Sequence, residues 1–71
     1  VRFPYRRTVG QKIRFYRKQA HLSQEELAEK ADLSYKYVGE VERGMVNVSL
    51  DSLMRIARAL RVKLRDLTDE L

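Results

Sequence analysis

The chain contains no cysteine, so disulfides and thiolate metal sites are excluded and its composition suits a reducing cytoplasm. Its longest apolar runs are only a few residues, and no charged-then-apolar leader is visible, so neither a membrane span nor a signal peptide is expected. Glycine occurs three times and proline once. No stretch alternates apolar and polar residues over a useful length, and nothing repeats, which leaves an all-α chain of one domain. There is a single histidine, His21, and no glycine-rich phosphate loop. With the carboxylates mostly on expected surface positions, no constellation for enzyme chemistry emerges, and His21 is read as a helix-terminus residue. No cofactor, metal or small-molecule ligand is indicated. Seventy-one residues lie near the lower size at which an apolar core suffices without staples.

What is present is positive charge, a net +5, and it is unevenly spread. Arg2, Arg6, Arg7, Lys12, Arg14, Arg17 and Lys18 all precede the first acidic residue, Glu25. That balance favours a polyanionic partner, although a solvated tail has the same composition. Residues 1–7, VRFPYRR, lack periodicity and are read as a basic N-terminal arm, leaving 8–71 as the folded domain. Arg6 and Arg7 are then candidates for a phosphate or minor-groove contact. Phe3 and Tyr5 are expected to pack on the domain surface.

Thr8 with Gln11 has the spacing of a capping box and opens a first helix whose apolar face is Val9, Ile13, Tyr16 and Ala20, closed by Leu22. Phe15 falls off that stripe and is read as a lid under the arm, with a contact surface as the alternative. Residues 23–44 form the centre of the chain. Ser23 and Glu26 make a second capping box, and Leu27, Ala28 and Ala31 share a face. Asp32-Leu33-Ser34 breaks the pattern; Ser34 caps a new helix from Tyr35 towards Arg43 with Val38 and Val41 buried, and Gly44 stops it. Two short helices joined by a tight turn have the shape of a DNA reader, and they need neighbours to build a core. Ser49 caps a fourth helix, with Asp51 near its positive end and Leu50, Leu53, Ile56, Ala57 and Leu60 as its apolar face. Arg55, Arg58 and Arg61 lie off that face. Leu64, Leu67 and Leu71 suggest a short fifth helix, with a dimer seam as a second use for them.

Positions 9 to 67 closely resemble the Cro/phage-repressor (XRE) helix-turn-helix family. The residues that carry the likeness are Val9-Gly10, Ile13, Arg17, LSQEELAEKA at 22–31, Leu33-Ser34, YVGEVERG at 37–44, NVSLDSL at 47–53 and IARALRV at 56–62. The resemblance implies a five-helix, lambda-repressor-like DNA-binding domain in which the third helix enters the major groove. It implies base-facing positions for Tyr35, Lys36 and Glu40. It also implies backbone contacts for Gln24, Arg43 and Asn47, and an internal ion pair between Arg17 and Glu42. Tyr37 stays open between packing under its helix and offering its hydroxyl to a phosphate. The residues support the base-facing set independently: Tyr35, Lys36 and Glu40 lie outside the Val38/Val41 stripe, Lys36 suits guanine O6 or N7, and Glu40 suits cytosine N4. Gln24 stands at the first position of its helix, where amides favour a phosphate. Gly39, costly inside a helix, suggests close approach of the backbone to DNA or to a neighbouring helix.

The sequence departs from the family where His21, Asp32 and Arg61 replace the glycines that commonly end helices 1, 2 and 4, and where Lys63 replaces a capping serine. The resulting expectation is a sequence-specific, double-stranded-DNA-binding transcriptional regulator acting as a homodimer on a palindromic operator. The alternative is an antitoxin or adaptor that holds a partner protein.

Overall fold

The computed structural model describes residues 4–69, and among them it contains five helices and no strand: α1 (Pro4–Gln19), α2 (Gln24–Ala31), α3 (Tyr35–Glu42), α4 (Leu50–Leu60) and α5 (Leu64–Thr68). Helices α2 and α3 keep the capping expected of them. Ser23 Oγ accepts from the Glu26 amide at 3.0 Å while the Glu26 carboxylate accepts from the Ser23 amide at 2.8 Å. Ser34 Oγ accepts from the Tyr37 amide, and Ser49 Oγ from the Ser52 amide, both at 3.1 Å. Each cap satisfies donors that the first helical turn leaves unpaired.

The start of α1 differs from expectation. Residues 4–7, assigned to an arm, are helical, and residues 1–3, including Phe3, lie outside the described residues. Pro4 explains the difference: as the first helical residue its fixed φ fits the helix and its missing amide hydrogen is not needed there. Thr8 therefore sits inside the helix, its hydroxyl donating to the Pro4 carbonyl at 3.1 Å instead of capping.

Four helices end in the same way. Leu22, Leu33, Met45 and Val62 donate their amides to the carbonyls of Arg17, Ala28, Glu40 and Ala57 five residues earlier, at 2.9–3.1 Å. The residue before each is left-handed: His21 (φ 59°), Asp32 (φ 57°), Gly44 (φ 72°) and Arg61 (φ 59°). This arrangement closes the last carbonyls of a helix and folds the following apolar side chain back onto it. Leu22, Leu33 and Val62 pack against the core in this way. Their burial offsets the cost of about 1–2 kcal/mol that a left-handed non-glycine residue carries.

Each helix sends one fully buried side chain to a common centre: Ile13, Leu27, Val38, Ile56 and Leu67 have no exposed surface. Burying a side chain of this size stabilises the fold by roughly 1.5–3 kcal/mol. Two expected core residues are not there. Ala20 is exposed because α1 has already turned off at Gln19, and Leu50 is 65 % exposed. A helical side chain leans over the preceding turn, and Leu50, first in α4, has no preceding turn to cover. Phe15, expected as a lid under the arm, is 55 % exposed with its ring edge-on to that of Tyr16, and residues 1–3 of that arm lie outside the described residues.

Two glycines set the distances between elements. A Cβ on Gly10 would strike the Val41 carbonyl oxygen and come within 2.6 Å of that of Glu42, so α1 lies backbone to backbone against the end of α3. A Cβ on Gly44 would come within 2.9 Å of Arg7 Cα. By contrast, a Cβ on Gly39 would meet only the flexible Arg43 guanidinium at 3.4 Å and Gln24 at 3.6 Å, so no neighbouring helix requires glycine there.

Candidate nucleic-acid interface

Helix α3 turns Val38 and Val41 inward, and this places Tyr35 (57 % exposed), Lys36 and Arg43 in solvent, with Glu40 half-buried. The side chains of Gln24, Tyr35, Lys36 and Arg43, with Gly39 between them, line one shallow recess of about 210 Å³. Four of the residues assigned to contact from sequence thus come together on one surface. Glu40, Tyr37, Asn47 and Arg6 do not line it. Tyr37 is half-buried against the core, Asn47 is exposed in the loop between α3 and α4, and Arg6 and Arg7 lie on α1 instead of in an arm, Arg7 exposed and Arg6 half-buried.

Beneath this surface lies a charge that the fold has taken out of water. Glu42 is 7 % exposed. Its carboxylate accepts from Arg17 Nε at 2.7 Å and Arg17 Nη2 at 3.1 Å, and its Oε1 also accepts from Gln24 Nε2 at 3.0 Å. Arg17 uses its remaining Nη1 on the Leu22 carbonyl at 2.8 Å. A forked guanidinium on a carboxylate is the strongest common form of such a pair, and here it joins α1, the start of α2 and the end of α3. Gln24 is therefore tied to the scaffold through one amide hydrogen, which leaves the second available at the helix start.

A second recess, of about 360 Å³, adjoins the first and shares Arg43 with it. Its other walls are Arg7, Gln11, Arg14 and Glu42. In the sequence Gln11 reads as half of a capping box and Arg14 as one of a basic run, and neither carries a contact role. The signal available was their helical spacing with Arg7, but nothing in a linear reading places them beside the end of α3.

Among the described residues no group of His, Cys, Asp and Glu side chains is placed to hold a metal ion, and no helix is long and apolar enough to cross a membrane.

Comparison with known proteins agrees with this geometry. The helix-turn-helix family model matches residues 13–67. The chain is 46 % identical over 61 residues to control protein C.BamHI of Bacillus amyloliquefaciens, covering 84 % of this chain and 75 % of that protein. It is 43 % identical over 63 residues to the immunity repressor of Bacillus phage phi105, covering 89 % of this chain but spanning only 44 % of the repressor's length. Among solved structures, the restriction-modification controller C.AhdI from Aeromonas hydrophila superposes with a TM-score of 0.89 at 42 % identity, covering 92 % of this chain and 98 % of that one. The biofilm master regulator SinR, in complex with DNA, superposes with a TM-score of 0.82 at 37 % identity, covering 86 % and 98 % of the two chains. The helix order, the α2–α3 geometry and these likenesses converge: the chain belongs to the Cro/phage-repressor-like (XRE) family of helix-turn-helix DNA-binding proteins.

Proposed function

We propose that the domain binds double-stranded DNA sequence-specifically as a transcriptional regulator, with α3 in the major groove and with two copies on a palindromic operator. The observation that carries this reading is the joining of Gln24, Tyr35, Lys36 and Arg43 on one face of a helix pair held by the Arg17–Glu42–Gln24 network. Lys36 and Tyr35 stand in the first turn of α3, the part of a recognition helix that reaches base edges, and Lys36 donates to guanine O6 or N7. Glu40, a turn further on, accepts from cytosine N4. Gln24, Arg43, Asn47 and Tyr37 contact the sugar-phosphate backbone and fix the register of α3. Arg6 and Arg7 add to the same backbone grip from α1. A domain this size covers one half-site, and a two-fold pair doubles the sequence read, with half-sites about one helical turn apart. In this role the protein works in the cytoplasm without a cofactor.

The test starts with selection of binding sites from random DNA, which returns both the operator and the half-site spacing. Fluorescence anisotropy of the wild type and of Lys36→Ala on the selected duplex follows. Loss of affinity together with relaxed preference at one base pair is the expected result; an unchanged affinity and preference removes Lys36 as a base reader. The affinity is also expected to fall steeply with salt, with log K decreasing by about 0.9 per log salt for each phosphate contacted. A flat salt response argues against DNA as the partner.

A further inference from the structure

We propose that the recess walled by Arg7, Gln11, Arg14 and Arg43 is a second phosphate grip, by which α1 holds the DNA backbone on the flank of the recognition surface. The proposal rests on the DNA-binding reading and extends the contacts of α1 beyond Arg6 and Arg7 to Gln11 and Arg14.

Arg7, Gln11 and Arg14 are spaced i, i+4 and i+7 along α1, so they form one stripe spanning about 10 Å of the helix axis. The stripe is set beside Arg43 by backbone packing. Gly10 brings α1 against the carbonyls of Val41 and Glu42, and Gly44 brings the end of α3 against Arg7 Cα. Three guanidiniums therefore line one recess of about 360 Å³.

The acid in the recess does not neutralise them. Glu42 is its inner wall, but that carboxylate is engaged by Arg17 on both oxygens and by Gln24 on one, and its charge is balanced by Arg17. Arg7 and Arg14 make no side-chain hydrogen bond or ion pair among the described residues. Arg43 uses only its Nε, on Met45 Sδ at 3.2 Å, which leaves both terminal nitrogens for a ligand. Like charges gathered in one place repel, and an anion with several acceptor oxygens reverses the sign of that interaction. Arginine forks and a glutamine amide are donors matched to phosphodiester oxygens.

Continuity identifies the phosphate as one in DNA. Arg43 belongs to both recesses, and its guanidinium lies over Gly39, between Lys36 on one side and Arg7 and Arg14 on the other. A duplex seated on α3 brings its backbone to the second recess without any movement of the fold.

The test is the salt dependence of binding for Arg14→Gln, an exposed position whose loss leaves no hydrogen bond unmade and whose folding is checked by thermal melting. Anisotropy is measured on the selected duplex and on a scrambled duplex. The expected result is weaker binding to both in equal proportion, a slope of log K against log salt shallower by about 0.9, and recovery of most of the slope by Arg14→Lys. Arg58→Gln, which removes the same charge from α4, is expected to change the slope much less. If wild type binds with a steep slope and Arg14→Gln leaves both slope and affinity unchanged, the grip is wrong while the DNA reading stands. Equal effects from Arg58→Gln, or a loss confined to the selected duplex, also overturn it. Absence of salt-dependent binding by the wild type overturns the DNA reading itself.

Discussion

Gln24 and Glu42, eighteen residues apart in sequence, share a 3.0 Å hydrogen bond that links the first residue of α2 to the last of α3. The acceptor is the same Oε1 that takes Arg17 Nη2. A residue assigned to the DNA backbone thus also gives the third hydrogen bond to a buried carboxylate.

Removing that carboxylate is expected to be costly. In Glu42→Ala, Arg17 keeps its charge at a side-chain exposure of 11 % and retains only the Leu22 carbonyl as partner. Breaking one side of a buried pair typically costs about 3–5 kcal/mol. Urea unfolding is expected to show a loss of that size. A loss under about 1 kcal/mol, the value of an exposed pair, contradicts the structural role assigned here.

Gly10 and Gly39 are expected to respond oppositely to alanine. At Gly10 the new methyl meets backbone carbonyls that have no room to yield, and overpacking of this kind costs about 1–3 kcal/mol or more. At Gly39 it meets only flexible side-chain ends, while alanine gains up to about 1 kcal/mol of helix propensity. Thermal melts of the two variants decide this. If Gly39→Ala is at least as stable as wild type yet binds DNA more weakly, close approach of the duplex is the reason for that glycine.

Arg61→Gly is expected to raise stability by about 0.5–1 kcal/mol, because φ at this position is 59° and glycine adopts it without strain. Its exposed side chain makes no hydrogen bond or ion pair among the described residues, so none is lost. A fall in the urea midpoint with an unchanged slope counts against strain at this cap.

Glu26 provides a pH dependence. Hydrogen bonds from the Ser23 amide and then the Ser23 side chain hold its carboxyl below the ordinary 4.5, with burial acting weakly the other way and Lys30 adding attraction. Its folded value is the lower one, so the stability it contributes is present above the unfolded value and is lost as pH falls through the folded value. The carboxyl titration followed by NMR is expected to have a midpoint below 4.5, and Glu26→Gln is expected to flatten the acid limb of the stability profile. A midpoint at or above 4.5 rules out the cap as the cause.

Much of this fold is written in local chemistry. Ser23, Ser34 and Ser49 each mark a helix start three residues before the amide they accept from, and the apolar spacing behind them gives Leu27, Val38, Leu53 and Ile56 as core. Errors arise where local signals compete or run out. Thr8 and Gln11 imitate a capping box inside a helix that Pro4 has already begun, and Leu50 is apolar by type but stands where a helix has no turn to cover. The Lys36 face follows from knowing which side Val38 and Val41 bury. The Arg7–Gln11–Arg14 wall does not, because it depends on where a helix in the first quarter of the chain crosses one near the middle.

That crossing is fixed by the hydrogen that Gly10 carries in place of a side chain. Gly10 lets α1 press onto the Val41 and Glu42 carbonyls, and backbone against backbone sets where the two helices cross. If α3 reads bases and the α1 wall holds phosphates as proposed, the spacing between the two is set by this packing, like the distance between two teeth of a key. Adjustment to a duplex of different shape would then fall to the DNA, and sites that bend or twist easily towards that spacing are expected to be favoured even at base pairs no side chain touches.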